Sequence, residues 1–346
     1  MVCYVPWLAL ALLAAALLSY RVHRQRGNAA LLAIRTPNGI DEGFFVRAGD
    51  IDQWISVRGE DRDNPVVLVL HGGPATSYMS FAAFFQLWEK HFTIVQWDRR
   101  GVGKTFGRNG RARSGEMTLD RIAQDGNEIA EFLRRHLNKR KIILLGHSMG
   151  SMIGILMAAR RPDLFHAYVG TEQIIDMARN EEISYQTILE RARSLGNATT
   201  VKRLERIGAP PYRKPMDWGV KQRAAEMADP AYGQVARRIR GMVLFSPSYS
   251  LKDMFCISKL YAQWMAFDAR RLGTSFQTPI FIIEGENDVM TPSELAREWV
   301  STISAPQKAF VPIKGASHLA FVTAADAYLA ELVDRVRPLA LAAPPH

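Results

Sequence analysis

Cysteine is nearly absent from this chain of 346 residues, which contains only Cys3 and Cys256. Two cysteines this far apart, one of them inside an apolar amino-terminal stretch, cannot form a framework of disulfides. Cys3 also precedes the apolar run, which is the wrong side for a bacterial lipoprotein cleavage site. A reducing compartment fits this composition.

Motifs for metals and nucleotides are missing as well. The chain has no His-Glu-x-x-His and no Cys-x-x-Cys, so we predict no metal site and no other cofactor. The segment Gly101–Thr105 resembles a phosphate-binding loop, but Asp98 stands where that motif requires glycine. The net charge is +10, and no aromatic residues are interleaved with the basic cluster at 134–141. The net charge favours attraction to an anionic membrane surface, whereas the basic cluster is explained first by capping of a helix dipole and second by contact with acidic lipid headgroups. We predict no nucleic-acid partner.

No charged residue occurs from Val2 to Tyr20, a stretch that would span about 28 Å as a helix. A cleavable signal peptide would have Lys or Arg before this run, whereas here the basic residues follow it, namely Arg21, Arg24 and Arg26. The sequence therefore predicts a membrane anchor over residues 2–20 with a basic flank to residue 26, and a cytoplasmic catalytic domain. The alternatives are a signal peptide, which would give a secreted or periplasmic protein, and an apolar arm packed on the protein.

The most informative stretch is an apolar run, Ile142–Leu145, that breaks into Gly146-His147-Ser148-Met149-Gly150. This Gly-x-Ser-x-Gly pattern predicts a nucleophile elbow, in which a strand turns sharply into a helix and exposes the serine hydroxyl. The two glycines are required because a Cβ atom there would clash with the tightly folded backbone. Ser148 is therefore the candidate nucleophile, and the alternative is a structural turn with an idle serine.

Two later strand patterns, 279–283 and 309–313, each run into a loop with a titratable residue. Asp288 follows the first strand and His318 follows the second, which is the serine–acid–histidine chain order of elbow-type hydrolases. Because the carboxyl ends of parallel strands lie at one edge of a sheet, both residues should lie level with Ser148. Glu284 and Glu286 are the competing carboxylates for the role of the acid.

A further apolar strand, Val66–Leu70, ends in His71-Gly72-Gly73-Pro74. Such a turn supplies one N–H group of an oxyanion hole, and Gly73 is the candidate because Pro74 has no N–H. The N–H of Met149, the residue after the nucleophile, is the candidate for the second donor. A plain strand-to-helix turn is the alternative interpretation.

Strand and helix patterns alternate up to residue 170, which predicts an α/β fold with a doubly wound, mostly parallel sheet. From 171 to 277 the alternation stops, and the segment consists of helix patterns joined by proline-rich connections. An insertion at this point predicts a helical cap over the serine. The core then comprises 27–170 and 278–337, and the Ala/Pro-rich tail 338–346 is predicted to be disordered.

The turn at 71–74, the Asp-x-Arg-Gly-x-Gly loop at 98–103, the elbow, Asp288 and His318 together resemble the α/β-hydrolase superfamily, and within it the proline iminopeptidase-like branch. The resemblance covers residues 44 to 336. It implies a serine hydrolase that forms an acyl-enzyme and releases an amino-terminal proline from a short peptide or small molecule. The His-Ser-Met form of the elbow is common among esterases and lipases, so a carboxylesterase for small or lipid-like esters is the second candidate. A non-catalytic binding protein on the same fold is the third.

An aminopeptidase must pair the ammonium group of its substrate with carboxylates, since a desolvated, unpaired charge is unfavourable. Glu172, which follows the strand before the predicted cap, is the first candidate, and Glu181 and Glu182 are the next. The alternative is that all three are solvated carboxylates at a helix start. Trp264 is the cap aromatic expected to line the acyl pocket, against the alternative that it packs in the core. The oligomeric state stays open.

Overall fold

The computed structural model describes residues 5–73, 77–212, 214–229, 231, 235 and 253–342. Its first element is a long helix, α1 (Val5–Leu31), which continues beyond residue 20 through the basic flank. Within the described residues, no helix has both the length and the apolar character needed to cross a bilayer. The predicted transmembrane anchor over residues 2–20 is therefore not supported, and Cys3 lies outside the described residues.

An eight-stranded sheet forms the centre of the molecule, in the order β1-β2-β4-β3-β5-β6-β7-β8. The first two strands form an antiparallel hairpin, β2 is antiparallel to β4, and the remaining neighbours are parallel. This arrangement confirms the predicted mostly parallel sheet. The strands are β1 (Ile40–Ala48), β2 (Ile51–Gly59), β3 (Val66–Leu70), β4 (Thr93–Asp98), β5 (Ile142–His147), β6 (Phe165–Thr171), β7 (Ile280–Gly285) and β8 (Lys308–Ile313).

Both faces of the sheet are covered, as the continuous apolar strands require. Alternate residues of β3 enter two separate core clusters, with Val66, Leu68 and Leu70 on one face and Val67 and Val69 on the other. Every residue of β3, β5 and β7 is buried, as expected for strands that are covered on both faces. The helices that accompany the parallel strands are α2 (Gly103–Arg113), α3 (Leu119–His136), α4 (Met149–Arg160) and α9 (Ser293–Thr302).

Between β6 and β7 the chain forms a helical segment, here called the inserted segment, instead of another strand. Its described helices are α5 (Met177–Ser194), α6 (Ala198–Ile207), α7 (Pro215–Ala228) and α8 (Asp253–Met265). The helices α5, α6 and α7 share a small core that includes Val289 and Met290 of the loop after β7, whereas α8 contributes Cys256, Leu260 and Trp264 to the main core. The Ser184 hydroxyl and the Asn180 amide donate to the carbonyl oxygens of Val289 and Met290, at 2.6 and 3.0 Å. The inserted segment is thus fastened to the loop that carries Asp288.

The carboxyl-terminal end differs from the sequence prediction in two ways. The amphipathic pattern from Leu319 to Arg335 predicts one helix, but the chain breaks at Ala324 into α10 (Ala320–Thr323) and α11 (Ala325–Glu331), followed by a π-helical turn (Leu332–Val336). The break lets Phe321 stack on Phe85 with ring centroids 5.6 Å apart. The predicted disorder from residue 338 is also wrong for the first tail residues, which form α12 (Arg337–Leu341). Proline is tolerated there because the first turn of a helix needs no N–H donor. Residues 343–346 lie outside the described residues.

Candidate active site

Ser148 lies at the junction of β5 and α4, with φ 51° and ψ −122°. A positive φ is unfavourable for a residue with a side chain, and such backbone strain is found where function requires it. The flanking glycines make the turn possible. A Cβ atom on Gly150 would lie 2.2 Å from the carbonyl oxygen of Leu70, and one on Gly146 would lie 2.8 Å from that of Gly150. The geometry is that of a nucleophile elbow.

The turn after β3 lies directly against this elbow. A Cβ atom on Gly72 would come within 2.4 Å of Nδ1 of His147, so only glycine allows the two turns to approach this closely. Gly73 has φ 63°, in the left-handed region that favours glycine. The N–H of Met149 begins α4 and so has no acceptor within its own helix. Both amides therefore belong to turns that surround Ser148; Pro74 lies outside the described residues.

Arg99 holds this turn in place, a role that the sequence prediction missed. Its buried guanidinium donates to the carbonyl oxygens of His71 and Gly73, at 2.9 and 2.6 Å. Burial lowers the pKa of Arg99 to about 10, which leaves it positively charged at neutral pH. Arg99 occupies the variable position of the Asp-x-Arg-Gly-x-Gly loop, so the motif gave no signal for this contact. It arises because β4, which precedes the loop, is the neighbour of β3 in the sheet.

Asp288 and His318 are in direct contact. Oδ2 of Asp288 lies 2.8 Å from Nδ1 of His318, and both side chains are nearly buried. Burial lowers the pKa of His318, but the charge and hydrogen bond of Asp288, with smaller contributions from Glu172 and Asp229, raise it above its ordinary value. Burial raises the pKa of Asp288, but the charge of His318 and hydrogen bonds from His318 and Thr291 bring it below its ordinary value. The pair therefore favours an imidazolium beside a carboxylate.

The other two carboxylates of this loop serve different partners. Glu284 is fully buried and accepts from the backbone N–H of Gln173 at 3.1 Å, and burial raises its pKa well above the ordinary value. Glu286 accepts from the N–H of Gly315 at 3.4 Å in an exposed position. Of the three candidates, Asp288 is the one that contacts the histidine.

Thr291 is a second residue that the sequence prediction missed. Its hydroxyl donates to Oδ2 of Asp288 and lies 3.3 Å from Nδ1 of His318. The backbone N–H groups of Met290 and Thr291 donate to Oδ1 of the same carboxylate, at 2.7 and 3.1 Å. An Asp followed three residues later by Thr before a helix is a turn-forming pattern, and it would have indicated this contact.

The loops of Asp288 and His318 interlock through backbone contacts. The N–H of Asn287 donates to the carbonyl of Ala316 at 2.9 Å. A Cβ atom on Gly285 would lie 2.3 Å from the carbonyl oxygen of Ser317, so the approach depends on this glycine. Nε2 of His147, the residue before the serine, lies 3.0 Å from the carbonyl oxygen of His318. The acid, the histidine and the serine thus belong to one connected group of strand-end turns.

Glu172 and Trp264, the two predicted substrate-binding residues, are enclosed by protein. Glu172 is fully buried, and its carboxylate accepts from the Thr171 hydroxyl at 2.5 Å and from the N–H of Ala320 at 3.1 Å. Trp264 is buried and packs near Trp218, with ring centroids 6.2 Å apart. These positions favour internal packing and hydrogen bonding over direct contact with a substrate.

Comparison with known proteins agrees with this geometry. The family profile of the alpha/beta hydrolase fold matches residues 65–325. A probable aminopeptidase (YbaC) of Bacillus subtilis is 28% identical over 283 residues, which cover 78% of this chain and 88% of that protein. A proline iminopeptidase of Lactobacillus helveticus is 24% identical over 312 residues, which cover 81% of this chain and 92% of that protein. Among solved structures, a proline iminopeptidase-related protein from Thermus thermophilus superimposes with a TM-score of 0.62 at 18% identity, covering 88% of this chain and 100% of that one.

Proposed function

Since the chain belongs to the alpha/beta hydrolase family and is a hydrolase, we propose that it acts through Ser148 as a proline iminopeptidase-like aminopeptidase. The observation that carries the proposal is the strained serine at the elbow together with the 2.8 Å contact between Asp288 and His318 on adjoining loops. The two named aminopeptidase relatives support the choice of an amide substrate. The competing proposal, a non-catalytic binding protein, would need none of this strain.

The proposed reaction starts when His318 accepts the proton of the Ser148 hydroxyl as its oxygen attacks the substrate carbonyl. The N–H groups of Gly73 and Met149 stabilise the oxyanion that forms, and loss of one such donor typically raises the barrier by about 2.7–4 kcal/mol. Asp288 stabilises the imidazolium. His318 then protonates the departing amine, and water releases the acyl group by the same steps.

Labelling with a fluorophosphonate probe tests the nucleophile, because the reagent reacts covalently with an activated serine. Wild type should be labelled and Ser148→Ala should not, with a fall in kcat on the order of 10⁶ for the variant. Equal labelling of both proteins, or of neither, would refute the serine-hydrolase mechanism.

An aminopeptidase needs an anionic partner for the substrate ammonium, and Asp229 is the proposed one. It ends α7, is buried, and contributes a negative charge that raises the pKa of His318. Its Oδ1 accepts from the N–H of Ala231 at 2.9 Å. The carboxyl end of a helix also carries a partial negative charge that attracts a cation. We propose that the inserted segment, predicted as residues 171–277, caps Ser148 and brings this charge to it.

Proline naphthylamide and its N-acylated analogue separate the substrate classes. Cleavage should require the free amine, and Asp229→Asn should raise KM about tenfold or more for the amine substrate, as expected for the loss of a charged hydrogen bond. Asp217→Asn, a substitution on the first turn of the same helix, is the matched control and should leave KM unchanged. Cleavage of the acylated analogue at an equal rate would contradict the aminopeptidase proposal.

A carboxylesterase is the second candidate, and one observation favours it. Two of the carboxylates expected to meet an ammonium are engaged by protein donors, Glu172 by the N–H of Ala320 and Glu181 by Lys221 at 3.0 Å. An uncharged acyl group needs no such carboxylate. Turnover of p-nitrophenyl esters that increases with chain length, without any naphthylamide cleavage, would establish this alternative.

Contact with a membrane surface is a separate proposal. Large apolar side chains are exposed in the described part of α1, namely those of Trp7, Leu8, Leu10, Leu12, Leu13, Leu17, Leu18 and Tyr20. So many exposed large apolar side chains on one helix favour burial in an interface. The full chain should float with anionic vesicles, and a chain without residues 1–31 should not. Equal behaviour of the two would contradict the proposal.

A further inference from the structure

Behind the candidate triad lies a second set of buried polar side chains, here called the His147 network, which consists of Tyr78, His147 and Glu172. Nδ1 of His147 lies 2.6 Å from the Tyr78 hydroxyl, and Nε2 lies 3.2 Å from Oε2 of Glu172. All three side chains are buried. The proposed chemical steps use none of them, yet burial of so many polar atoms is unfavourable unless their hydrogen bonds are made.

The proton positions in this network follow from its acceptors. Nε2 of His147 faces the carbonyl oxygen of His318 at 3.0 Å and the carboxylate of Glu172. Both groups accept hydrogen bonds, so Nε2 must carry a proton. Nδ1 of a neutral His147 then accepts from Tyr78. The imidazole is thereby fixed in one tautomer and one orientation, with its Nε2–H directed at the backbone of the catalytic histidine.

Glu172 contacts the loop of His318 at a second point. Its Oε1 accepts the N–H of Ala320, so the network holds the backbone on both sides of Leu319, at the His318 carbonyl and the Ala320 amide. Glu172 reaches this position with φ 49°, an unfavourable conformation for a residue with a side chain. Strain that persists at a fully buried carboxylate indicates that its position matters for the site.

We propose that Glu172 and His147 are positioning residues that lock the His318 loop against the nucleophile elbow and place a negative charge behind the catalytic imidazole. The inference rests on the proposed serine-hydrolase function. His147 adjoins Ser148 in the chain and Glu172 directly follows the neighbouring strand β6, so the distance between nucleophile and base is set by two hydrogen bonds to backbone. We therefore assign to Glu172 the role of holding the His318 loop, in place of direct contact with a substrate.

The charge of Glu172 gives the proposal a signature that packing alone would not produce. His318 is faced by Asp288 from the loop after β7, by Glu172 from β6, by Asp229 from α7 and by the His147 ring from β5. Among the charges that raise the pKa of His318, Glu172 ranks after Asp288. Replacement of Glu172 by a neutral side chain should lower the pKa of His318. The fall in rate at acid pH, the acid limb of the pH profile, should then move to lower pH.

The experiment measures the rate constant of fluorophosphonate inactivation against pH for the full chain. Glu172→Gln keeps an acceptor for Ala320 but removes the charge. We expect a rate 10- to 100-fold below wild type, the range that small misplacement of reacting groups produces, together with an acid limb at lower pH. Glu284→Gln is the matched control, since this carboxyl is equally buried and the charges that raise the pKa of His318 come from Asp288, Glu172 and Asp229. It should leave the limb in place.

If Glu172→Gln leaves both the inactivation rate constant and the acid limb of its pH profile unchanged, the inference is overturned. A slower rate with an unchanged acid limb would also overturn it, because Glu172 would then have only a structural role. If Glu172→Gln does not fold, Tyr78→Phe carries the test, because it removes only the hydroxyl that fixes His147. A wild-type rate in that variant would equally overturn the inference. Failure of wild type to react at all would instead refute the serine-hydrolase function.

Discussion

Replacement of Asp288 by Asn tests the candidate triad most sharply, because the structure specifies what each atom of the new side chain would meet. Oδ1 of Asp288 accepts two backbone N–H groups, from Met290 and Thr291. An asparagine keeps those bonds with its own oxygen. Its NH₂ group must then occupy the place of Oδ2, where it faces Nδ1 of His318. The fold of the loop is therefore retained while the partner of the histidine changes from acceptor to donor.

The consequence for His318 is a reversed tautomer. Nδ1 must accept from the new NH₂ group, so the proton resides on Nε2, and the ring cannot take the proton of Ser148. The same substitution in other Ser-His-Asp enzymes lowers kcat about 10⁴-fold, which corresponds to about 5.5 kcal/mol in the barrier. Loss of the Asp288 charge also removes the largest influence that raises the pKa of His318 and leaves burial, which lowers it.

The assay is kcat on the best substrate, accompanied by the fluorophosphonate inactivation rate and the melting temperature. We expect Asp288→Asn to fall about 10⁴-fold in both rates with a melting temperature close to wild type. Glu286→Gln changes an exposed carboxylate of the same loop and should retain wild-type rates. An Asp288→Asn protein within tenfold of wild type would refute the assignment of the acid, as would a Glu286→Gln protein with the larger loss.

Three further outcomes are expected. Because the pKa of His318 is raised and the reaction needs the neutral imidazole, kcat/KM should fall as the pH decreases, through a midpoint above the ordinary histidine value of about 6.5. A midpoint below that value would contradict the contact with Asp288. Gly150→Ala places a Cβ atom 2.2 Å from the Leu70 carbonyl oxygen, so denaturant titrations should show a free energy of unfolding lower by about 1–3 kcal/mol or more. Gly107→Ala is the control and should cause no such loss, because no atom lies within 4 Å of the added Cβ. Arg99→Met removes the donor of the His71 and Gly73 carbonyls and should lower kcat by about 10²–10³ if the Gly73 amide is displaced. An unchanged kcat would show that the turn keeps its position without Arg99.

The parts of the site that could be predicted from the sequence are those written in short, contiguous patterns. The elbow is local, since the glycines before and after Ser148 are required by atoms within or beside the same turn. Strand patterns followed by loops placed Asp288 and His318 at one edge, because parallel strands all end on the same side. The fold class follows from the same alternation of strand and helix.

The orientation of single side chains could not be predicted in the same way. Glu172 was expected to face the substrate, but its direction depends on a positive φ and on an amide 148 positions away, at Ala320. The contact of Arg99 with Gly73 likewise joins two strand ends that only the sheet order brings together. Phe321, which lies just before the helix break at Ala324, stacks on Phe85, a residue distant in the sequence. Each of these is a long-range contact without a local signature.

The outermost parallel strand, β8, has a bearing on self-association. Among the strands that the structure describes, it pairs only with β7, so its other side is an edge of the kind that recruits a strand from a second molecule. Pro312, exposed near the end of β8, offers no N–H on that side, and the exposed Lys314 follows it. Both features discourage edge-to-edge pairing. Since His318 lies only a few residues further on, features that disfavour pairing at this edge would also keep a second molecule away from the loop of the candidate catalytic histidine.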